Sequence, residues 1–206
     1  MIVLKDVSFQ YEGCEEGVHG IDLTVCDGEC VVLTGPSGGG KTTLTRLLNG
    51  LAPSYYQGTK KGDLWINYTE IASLPAWKIG QEIGSVFQDP KSQFFSSELA
   101  GEVAFACENY GMAKQEIRKR TDEAIASMGL ETLRARPLDV LSSGEKQRVA
   151  VASVYALRPH TYVCDEPTAN LDSEGATRLA GILRKLKDEG NTLIIAEHRL
   201  AWLSGI

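Results

Sequence analysis

The sequence predicts an α/β fold in which a mostly parallel core sheet is flanked by helices, and three observations predict it. Three short apolar segments, at residues 29–34, 161–164 and 192–196, have the composition of buried parallel strands. Helical patterns lie between these segments, and such alternation implies right-handed crossovers and a largely parallel sheet. A glycine-rich loop at residues 35–40 joins the first strand to a helix, which is the order that a phosphate-binding loop requires.

The first 34 residues are predicted to be rich in β-structure. Residues 2–9 and 19–25 read as two strands, joined by a turn rich in glycine and glutamate at 12–17. Asp27-Gly28 then predicts a tight turn into the strand that precedes the glycine-rich loop.

A short helix is predicted over residues 44–49, because its leucines share one face and Asn49-Gly50 is a stop signal. Residues 63–67 and 82–87 read as short strands, and Pro90 prevents the second from pairing further.

The remainder of the chain is predicted to contain helices and the two buried strands. Residues 97–128 have a helical pattern in which Gly111 separates two helices. Pro137 marks a loop, and residues 146–157 and 173–187 read as helices, each followed by a buried strand.

Composition excludes several classes of protein. The 206 residues carry a net charge of −6, which argues against non-specific binding of nucleic acid. No apolar run approaches the roughly 18 residues of a membrane span. The cysteines are odd in number and follow no metal-site or disulfide pattern, which suits a reducing compartment. They are Cys14, Cys26, Cys30, Cys107 and Cys164. A basic cluster, Lys114, Arg118, Lys119 and Arg120, is best interpreted as a solvated helix face.

The glycine-rich loop has the spacing Gly-x-x-x-x-Gly-Lys-Thr and predicts binding of a nucleoside triphosphate. Glycines let successive backbone N–H groups turn inward around an anion, and the helix N-terminus adds partial positive charge. The lysine reaches the β- and γ-phosphates, and the following threonine hydroxyl ligates Mg²⁺. The predicted nucleotide-binding residues are Gly35, Pro36, Ser37, Gly38, Gly39, Gly40, Lys41, Thr42 and Thr43.

Two consecutive acids, Asp165 and Glu166, follow the buried strand at 161–164. Ligands of open α/β sheets bind at the carboxyl ends of the strands. Asp165 is therefore predicted to hold Mg²⁺, and Glu166 to polarise the attacking water or accept its proton. The alternative is an exposed acidic pair that caps the next helix.

Three further segments carry a family resemblance. They are Leu-Ser-Ser-Gly-Glu-Lys-Gln-Arg at 141–148, Asp-Glu-Pro-Thr-Ala-Asn-Leu-Asp at 165–172, and Glu197-His198. Together with the glycine-rich loop they resemble an ATP-binding-cassette (ABC) ATPase over essentially the whole chain. The resemblance implies a P-loop NTPase with an antiparallel β subdomain and an inserted helical subdomain, which binds ATP and Mg²⁺.

The resemblance also implies roles for individual residues. In this family a signature that starts a helix binds the ATP held by the opposite subunit, and here it comprises Ser142, Ser143, Gly144 and Glu145. Ser143 and Glu145 depart from the family's glycine and glutamine. Gln88 matches a magnesium and water contact, His198 a γ-phosphate contact that also orients the glutamate, and Tyr11 the adenine-stacking aromatic. The loop that crosses the dimer seam matches Asn170, Leu171 and Asp172.

The resemblance implies one domain over 1–206, with a core and β subdomain at about 1–90 and 158–206 and a helical subdomain at about 91–157. The family continues past the residue at which this sequence stops, so the end of the usual domain is expected to be missing.

A narrower resemblance is to the ATPases of energy-coupling factor (ECF) transporters, which import vitamins or transition-metal ions. It rests on residues 87–95, 102–105, 108–111 and 196–200, while residues 53–58 resemble members with two fused ATPase domains. It implies a second ATPase domain, a membrane-embedded coupling subunit and a substrate-binding subunit as partners, and a peripheral place on the cytoplasmic face of the membrane.

A groove beside Gln88 is expected to receive a helix of the coupling subunit, with Phe94 and Phe95 either contacting that helix or lying in the helical core. Two other functions stay open at this point. One is a soluble ABC ATPase that acts on ribosomes or DNA, and the other is a phosphotransferase.

Overall fold

The computed structural model describes residues 1–13 and 15–203 of the chain. The expectations for the Cys14 thiol and for the last three residues, 204–206, lie outside the described residues. Within the described part the chain forms two four-stranded sheets and seven α-helices.

The first sheet is antiparallel, with the strand order β2-β1-β4-β5. Its strands are β1 (Ile2–Tyr11), β2 (Gly17–Val25), β4 (Gly58–Ile66) and β5 (Thr69–Glu70). β4 is longer than the strand predicted at 63–67, because it pairs with the full length of β1 and its polar side chains face outward.

β1 changes the parity of its buried residues halfway along. Ile2 and Leu4 are buried before Asp6, and Val7 and Phe9 are buried after it. Asp6 has φ 47° and lies at a shift in register, so the chain gains one residue and its apolar side chains stay on one face.

The second sheet contains parallel pairs and has the order β3-β8-β7-β6. Its strands are β3 (Cys30–Leu33), β6 (Ile83–Val86), β7 (Thr161–Asp165) and β8 (Thr192–Ala196). Every residue of β7 and β8 is buried, which explains their near-continuous apolar sequences. The α/β fold with a largely parallel core sheet is confirmed.

The helices are α1 (Lys41–Leu48), α2 (Leu51–Ser54), α3 (Ala76–Glu82), α4 (Leu99–Asn109), α5 (Lys114–Ser127), α6 (Ser143–Leu157) and α7 (Ser173–Asp188). α3, which follows Pro75, was not predicted. α6 begins three residues before the predicted start at Lys146, because Ser142 caps it. Among the described residues no helix is both long enough and apolar enough to cross a membrane.

The chain divides into two compact units. The first contains residues 1–85, 160–165 and 186–198, and the second contains residues 86–159, 166–185 and those from Arg199 onward. The core of the first unit includes Phe9, Leu47, Leu64 and Ile194. In the second unit α4, α5 and α6 pack against one another. The predicted subdomain boundaries stay a prediction.

The cysteines of the described residues form no disulfide, and those residues hold no metal-binding group of three or more histidine, cysteine, aspartate or glutamate side chains. Burial raises the pKa of Cys164 to about 12. A thiol with such a pKa is inert at neutral pH.

Candidate nucleotide-binding and hydrolysis site

The loop between β3 and α1 depends on glycine. Gly38 has φ +77° and Gly40 has φ +85°, a region that residues with a side chain rarely occupy. A Cβ atom at Gly40 would lie 2.5 Å from Cγ1 of Val18, so this position has no room for a side chain. Such glycines allow the backbone N–H groups of a loop to turn toward an anion, and this loop leads directly into a helix N-terminus.

Lys41 and Thr42, the first residues of α1, lie at the bottom of this loop. Lys41 is 8% exposed, and its Nζ atom donates to the carbonyl oxygens of Gly35 at 3.2 Å and Pro36 at 3.0 Å. The Thr42 hydroxyl donates to Oδ1 of Asp165, at the end of β7, at 3.2 Å. A hydroxyl and a carboxylate are hard oxygen ligands, so this pair fits Mg²⁺ beside a phosphate cradle.

Tyr11 ends β1 in the same unit. Its hydroxyl donates to Oγ1 of Thr43 at 3.2 Å, and its ring packs edge-on against Phe9 with centroids 4.9 Å apart. Tyr11 thus contacts the residue that follows Thr42, which brings the predicted base platform next to the phosphate-binding loop.

In the second unit the structure brings together Glu166, Gln88 and Asn170. Nε2 of Gln88 donates to Oε2 of Glu166 at 3.2 Å, and Nδ2 of Asn170 donates to the Gln88 carbonyl at 3.2 Å. Glu166 has φ +44°, in the left-handed region that costs energy for a residue with a side chain. Such strain is common at functional sites.

The signature residues form the N-terminus of α6. The Ser142 hydroxyl accepts from the Glu145 N–H at 3.3 Å, and Oε2 of Glu145 accepts from the Ser142 N–H at 2.7 Å. This is a capping box. Hydrogen bonds from Ser142 hold the pKa of Glu145 below its ordinary value. The carboxylate is therefore turned back onto its own helix, which explains how a glutamate is accommodated in place of glutamine.

The signature and the predicted seam loop line a common cavity of about 420 Å³ within the second unit. Both predicted sets contribute to its wall. The lining residues from these sets are Ser142, Ser143, Gly144, Glu145, Asn170, Leu171 and Asp172.

His198 is exposed and lies two residues beyond the end of β8, in the first unit. Its backbone N–H donates to Oε1 of the buried Glu197 at 2.8 Å. The predicted γ-phosphate contact of His198 stays a prediction.

Two arginines for which the sequence predicts no role contact these sites. Nη1 of Arg46 donates to the Tyr11 hydroxyl at 2.9 Å. Nη2 of Arg199 donates to the carbonyls of Thr168 and, at 3.3 Å, of Leu171, which ties down the seam loop. The only sequence signals were their positions, five residues after Lys41 and directly after His198.

Phe95 is 74% exposed, and its ring stacks on Phe105 with centroids 4.8 Å apart. The prediction was that Phe95 either contacts a helix of the coupling subunit or lies in the helical core. The second alternative is wrong for Phe95. Phe94 is half-buried.

Comparison with known proteins gives consistent results. A family model described as ABC transporter matches residues 18–169. An ABC transporter ATP-binding protein of Treponema denticola is 40% identical over 207 residues, covering 100% of this chain and 42% of the relative. A similarly described protein of Streptomyces avermitilis is 39% identical over 202 residues, covering 97% of this chain and 36% of the relative. The chain thus spans less than half the length of these curated relatives.

Solved structures are also similar. The structure of cbiO1 from Clostridium perfringens, described as part of the ABC transporter complex cbiONQ, has a TM-score of 0.85 and 33% identity, covering 97% of this chain and 78% of that one. The bacterial ABC transporter cassette MJ0796 has a TM-score of 0.84 and 28% identity, covering 98% and 90%. A dimeric form of MJ0796 is described as a post-hydrolysis state bound to ADP and phosphate.

The family model covers most of the chain, the cbiO1 similarity covers nearly all of it, and the glycine loop, Lys41, Thr42 and Asp165 are assembled as a nucleotide site requires. The chain belongs to the ABC transporter family, as an ATP-binding cassette of the kind that binds ATP with Mg²⁺ and hydrolyses it.

Proposed function

We propose that this chain supplies the ATPase of an ECF-type importer for vitamins or transition-metal ions. The observation that carries the ATPase part is the contact between Thr42 and Asp165 at the foot of the glycine loop. The ECF part is supported by the sequence of residues 87–111 and by the similarity to cbiO1, which is itself described as part of a transporter complex.

In this proposal the glycine loop and Lys41 hold the phosphates, and Tyr11 stacks on the adenine. Thr42 and Asp165, with Gln88, would hold Mg²⁺, which neutralises phosphate charge when it is bound. Glu166 would accept the proton of the attacking water while Gln88 orients it, and His198 would donate to the γ-phosphate.

The proposed working state is a dimer of cassettes that encloses two ATP molecules. Each site would combine the glycine loop of one cassette with the signature and seam loop of the other. Because the γ-phosphate bridges the two, its hydrolysis releases the dimer. The second cassette belongs either to a second chain or to the same longer chain.

The aromatic pair Phe95 and Phe105 is the proposed contact for the coupling subunit. The loop that carries Phe95 is held in place, because Oε2 of Glu102 accepts from the N–H groups of Phe95 and Ser96, each at 2.8 Å. Glu102 is only 3% exposed. An exposed aromatic on a fixed loop suits an apolar helix of a membrane subunit.

Two measurements test the proposal. Phosphate release from Mg-ATP without an acceptor, absent in Lys41→Ala, is expected for an ATPase and would not be given by a phosphotransferase. The tagged full-length protein, solubilised from membranes in mild detergent, should carry membrane-embedded partners with it. Recovery of ribosomes or DNA in their place would contradict the transport proposal and leave the ATPase intact.

A further inference from the structure

Arg46 lies at the centre of a cluster beside the nucleotide site, entirely within the first unit. It is half-buried on α1, five residues after Lys41. Its Nη1 donates to the Tyr11 hydroxyl at 2.9 Å, and its Cζ lies 3.8 Å from the ring centroid of Tyr56. A guanidinium this close to a ring centroid is stacked on the face of that ring.

The cluster defines the direction of a hydrogen-bond chain. A guanidinium has donors only, so the Tyr11 oxygen must accept from Arg46. The Tyr11 hydroxyl then donates its own hydrogen to Oγ1 of Thr43, at 3.2 Å. Thr43 is 8% exposed and follows Thr42 directly. The chain of bonds therefore runs from Arg46 through the Tyr11 hydroxyl and back to Thr43, in the first turn of α1 that follows the glycine-rich loop.

The same cluster restrains the plane of the Tyr11 ring. Phe9 packs edge-on against it at 4.9 Å with an interplanar angle of 87°, and Tyr56 does so at 6.5 Å and 85°. Arg46 connects the Tyr56 ring to the Tyr11 hydroxyl. Two perpendicular ring contacts and a hydrogen bond at the hydroxyl restrain the Tyr11 ring. A restrained ring lowers the entropy cost of stacking a base on it.

We propose that Arg46 is a positioning residue that holds Tyr11 as the base platform and couples base binding to the phosphate loop. The inference rests on the proposed role of Tyr11 in binding the base. It assigns to Arg46 an action on the base end of the ligand, through Tyr11, and none directly on the phosphates.

The test compares Mg-ATP with magnesium tripolyphosphate, which has the phosphates but no base, by calorimetry. Arg46→Met should weaken ATP binding about fivefold, the loss expected for one net hydrogen bond. It should change tripolyphosphate binding by less than about twofold. Tyr11→Phe should give a similar loss, and the double variant no more than either single variant, because both break the same link. Arg46→Lys should recover part of the affinity, since it keeps a donor but loses the planar stack.

Arg118→Met, at an exposed position on α5, is the matched control and should leave both affinities unchanged. Equal weakening of both ligands by Arg46→Met would overturn the proposal in favour of an electrostatic effect on the phosphates. The proposal would also be overturned if the loss of ATP affinity in the double variant equalled the product of the two single losses. Unchanged ATP affinity in Arg46→Met would overturn it as well. If Arg46→Met does not fold, Tyr56→Leu removes the stack and must lower ATP affinity selectively. A wild-type chain that binds neither ligand would instead refute the proposed nucleotide site.

Discussion

Glu166 carries the most demanding backbone conformation among the proposed catalytic residues. Its φ of +44° costs about 1 kcal/mol for an L-residue. The conformation is held by a turn in which the Ala169 N–H donates to the Glu166 carbonyl at 3.0 Å, and by the hydrogen bond from Gln88 to its carboxylate. This strained backbone conformation therefore accompanies an orientation in which the Glu166 carboxylate accepts a hydrogen bond from Gln88.

Glu166→Gln should bind Mg-ATP within about twofold of the wild-type affinity but lower the rate of hydrolysis by about a hundredfold or more, because an amide does not accept the proton of water. ATP-bound dimers should accumulate and be visible by size-exclusion chromatography. Glu131→Gln, at an exposed position, is the control. A Glu166→Gln variant with the wild-type steady-state rate would refute the role of Glu166.

Arg199 is a second single residue with a specific contact, because its side chain binds backbone carbonyls. Its guanidinium donates to the carbonyl of Thr168, two residues before the seam loop, and to the carbonyl of Leu171 within that loop. Arg199→Ala should lower kcat for ATP hydrolysis by about tenfold, a loss of roughly 1.4 kcal/mol that is typical of a hydrogen bond from a charged donor, with KM little changed. Arg199→Lys should recover part of the rate. An unchanged kcat in Arg199→Ala would show that the loop does not need this restraint.

At the scale of elements, the N-terminus of α6 shows how a departure from the family signature is accommodated. Ser142 and Glu145 cap each other reciprocally, so the helix begins at Ser143 with two of its free N–H groups satisfied. The glutamate places a negative charge at a helix N-terminus, where its interaction with the positive end of the helix dipole is favourable. The substitution of glutamine by glutamate thus stabilises the element that carries the signature.

Glu145→Ala should lower the free energy of unfolding by about 1 kcal/mol at pH 7. Because the folded-state pKa of Glu145 is depressed, this contribution is present above the unfolded pKa and is lost as the pH falls through the lower, folded value. Urea denaturation at pH 7 and at a series of pH values below about 4.3, the ordinary value for glutamate, should therefore show the difference between the two chains shrinking as the pH falls. Glu131→Ala should differ from wild type at none of these pH values. A difference between Glu145→Ala and wild type that grows at acid pH would contradict the capping account.

At the scale of the whole molecule, the first unit supplies the glycine loop, Lys41, Thr42 and Asp165, and the second supplies the signature and the seam loop. The second unit also presents Phe95 at the surface. The residues proposed to bind nucleotide and the aromatic proposed to contact a membrane partner are different, so the two proposed roles can be tested by separate mutations.

Phe95→Asp should abolish recovery of the membrane subunits in a detergent pull-down while leaving ATP affinity unchanged, because a charge replaces the apolar contact. Tyr68→Asp is the matched control, since Tyr68 is an exposed aromatic of the first unit at 86% exposure. Equal recovery of the membrane subunits by Phe95→Asp and wild type would show that Phe95 is not part of the docking surface.

Much of the fold follows from local patterns. β7 and β8 have nearly continuous apolar sequences because they are buried on both faces, and β8 lies where its pattern predicts. The predicted bounds of an element were less accurate where a neighbouring strand or a capping side chain determines its length. β4 begins with six polar and small residues before its apolar end, because pairing with β1 satisfies its backbone hydrogen bonds whatever its side chains are. α6 starts early because of a side-chain cap.

The sequence alone determined the family, the nucleotide loop and the identity of the acids, because these depend on residue type at fixed spacing along one chain. Only the tertiary structure decided that Thr42 meets Asp165, that Glu145 turns onto Ser142, and that Arg46 and Arg199 hold Tyr11 and the seam loop. An arginine side chain has no sequence signature for its partner. Its role depends on which hydroxyl or carbonyl the fold brings within about 3 Å of its guanidinium.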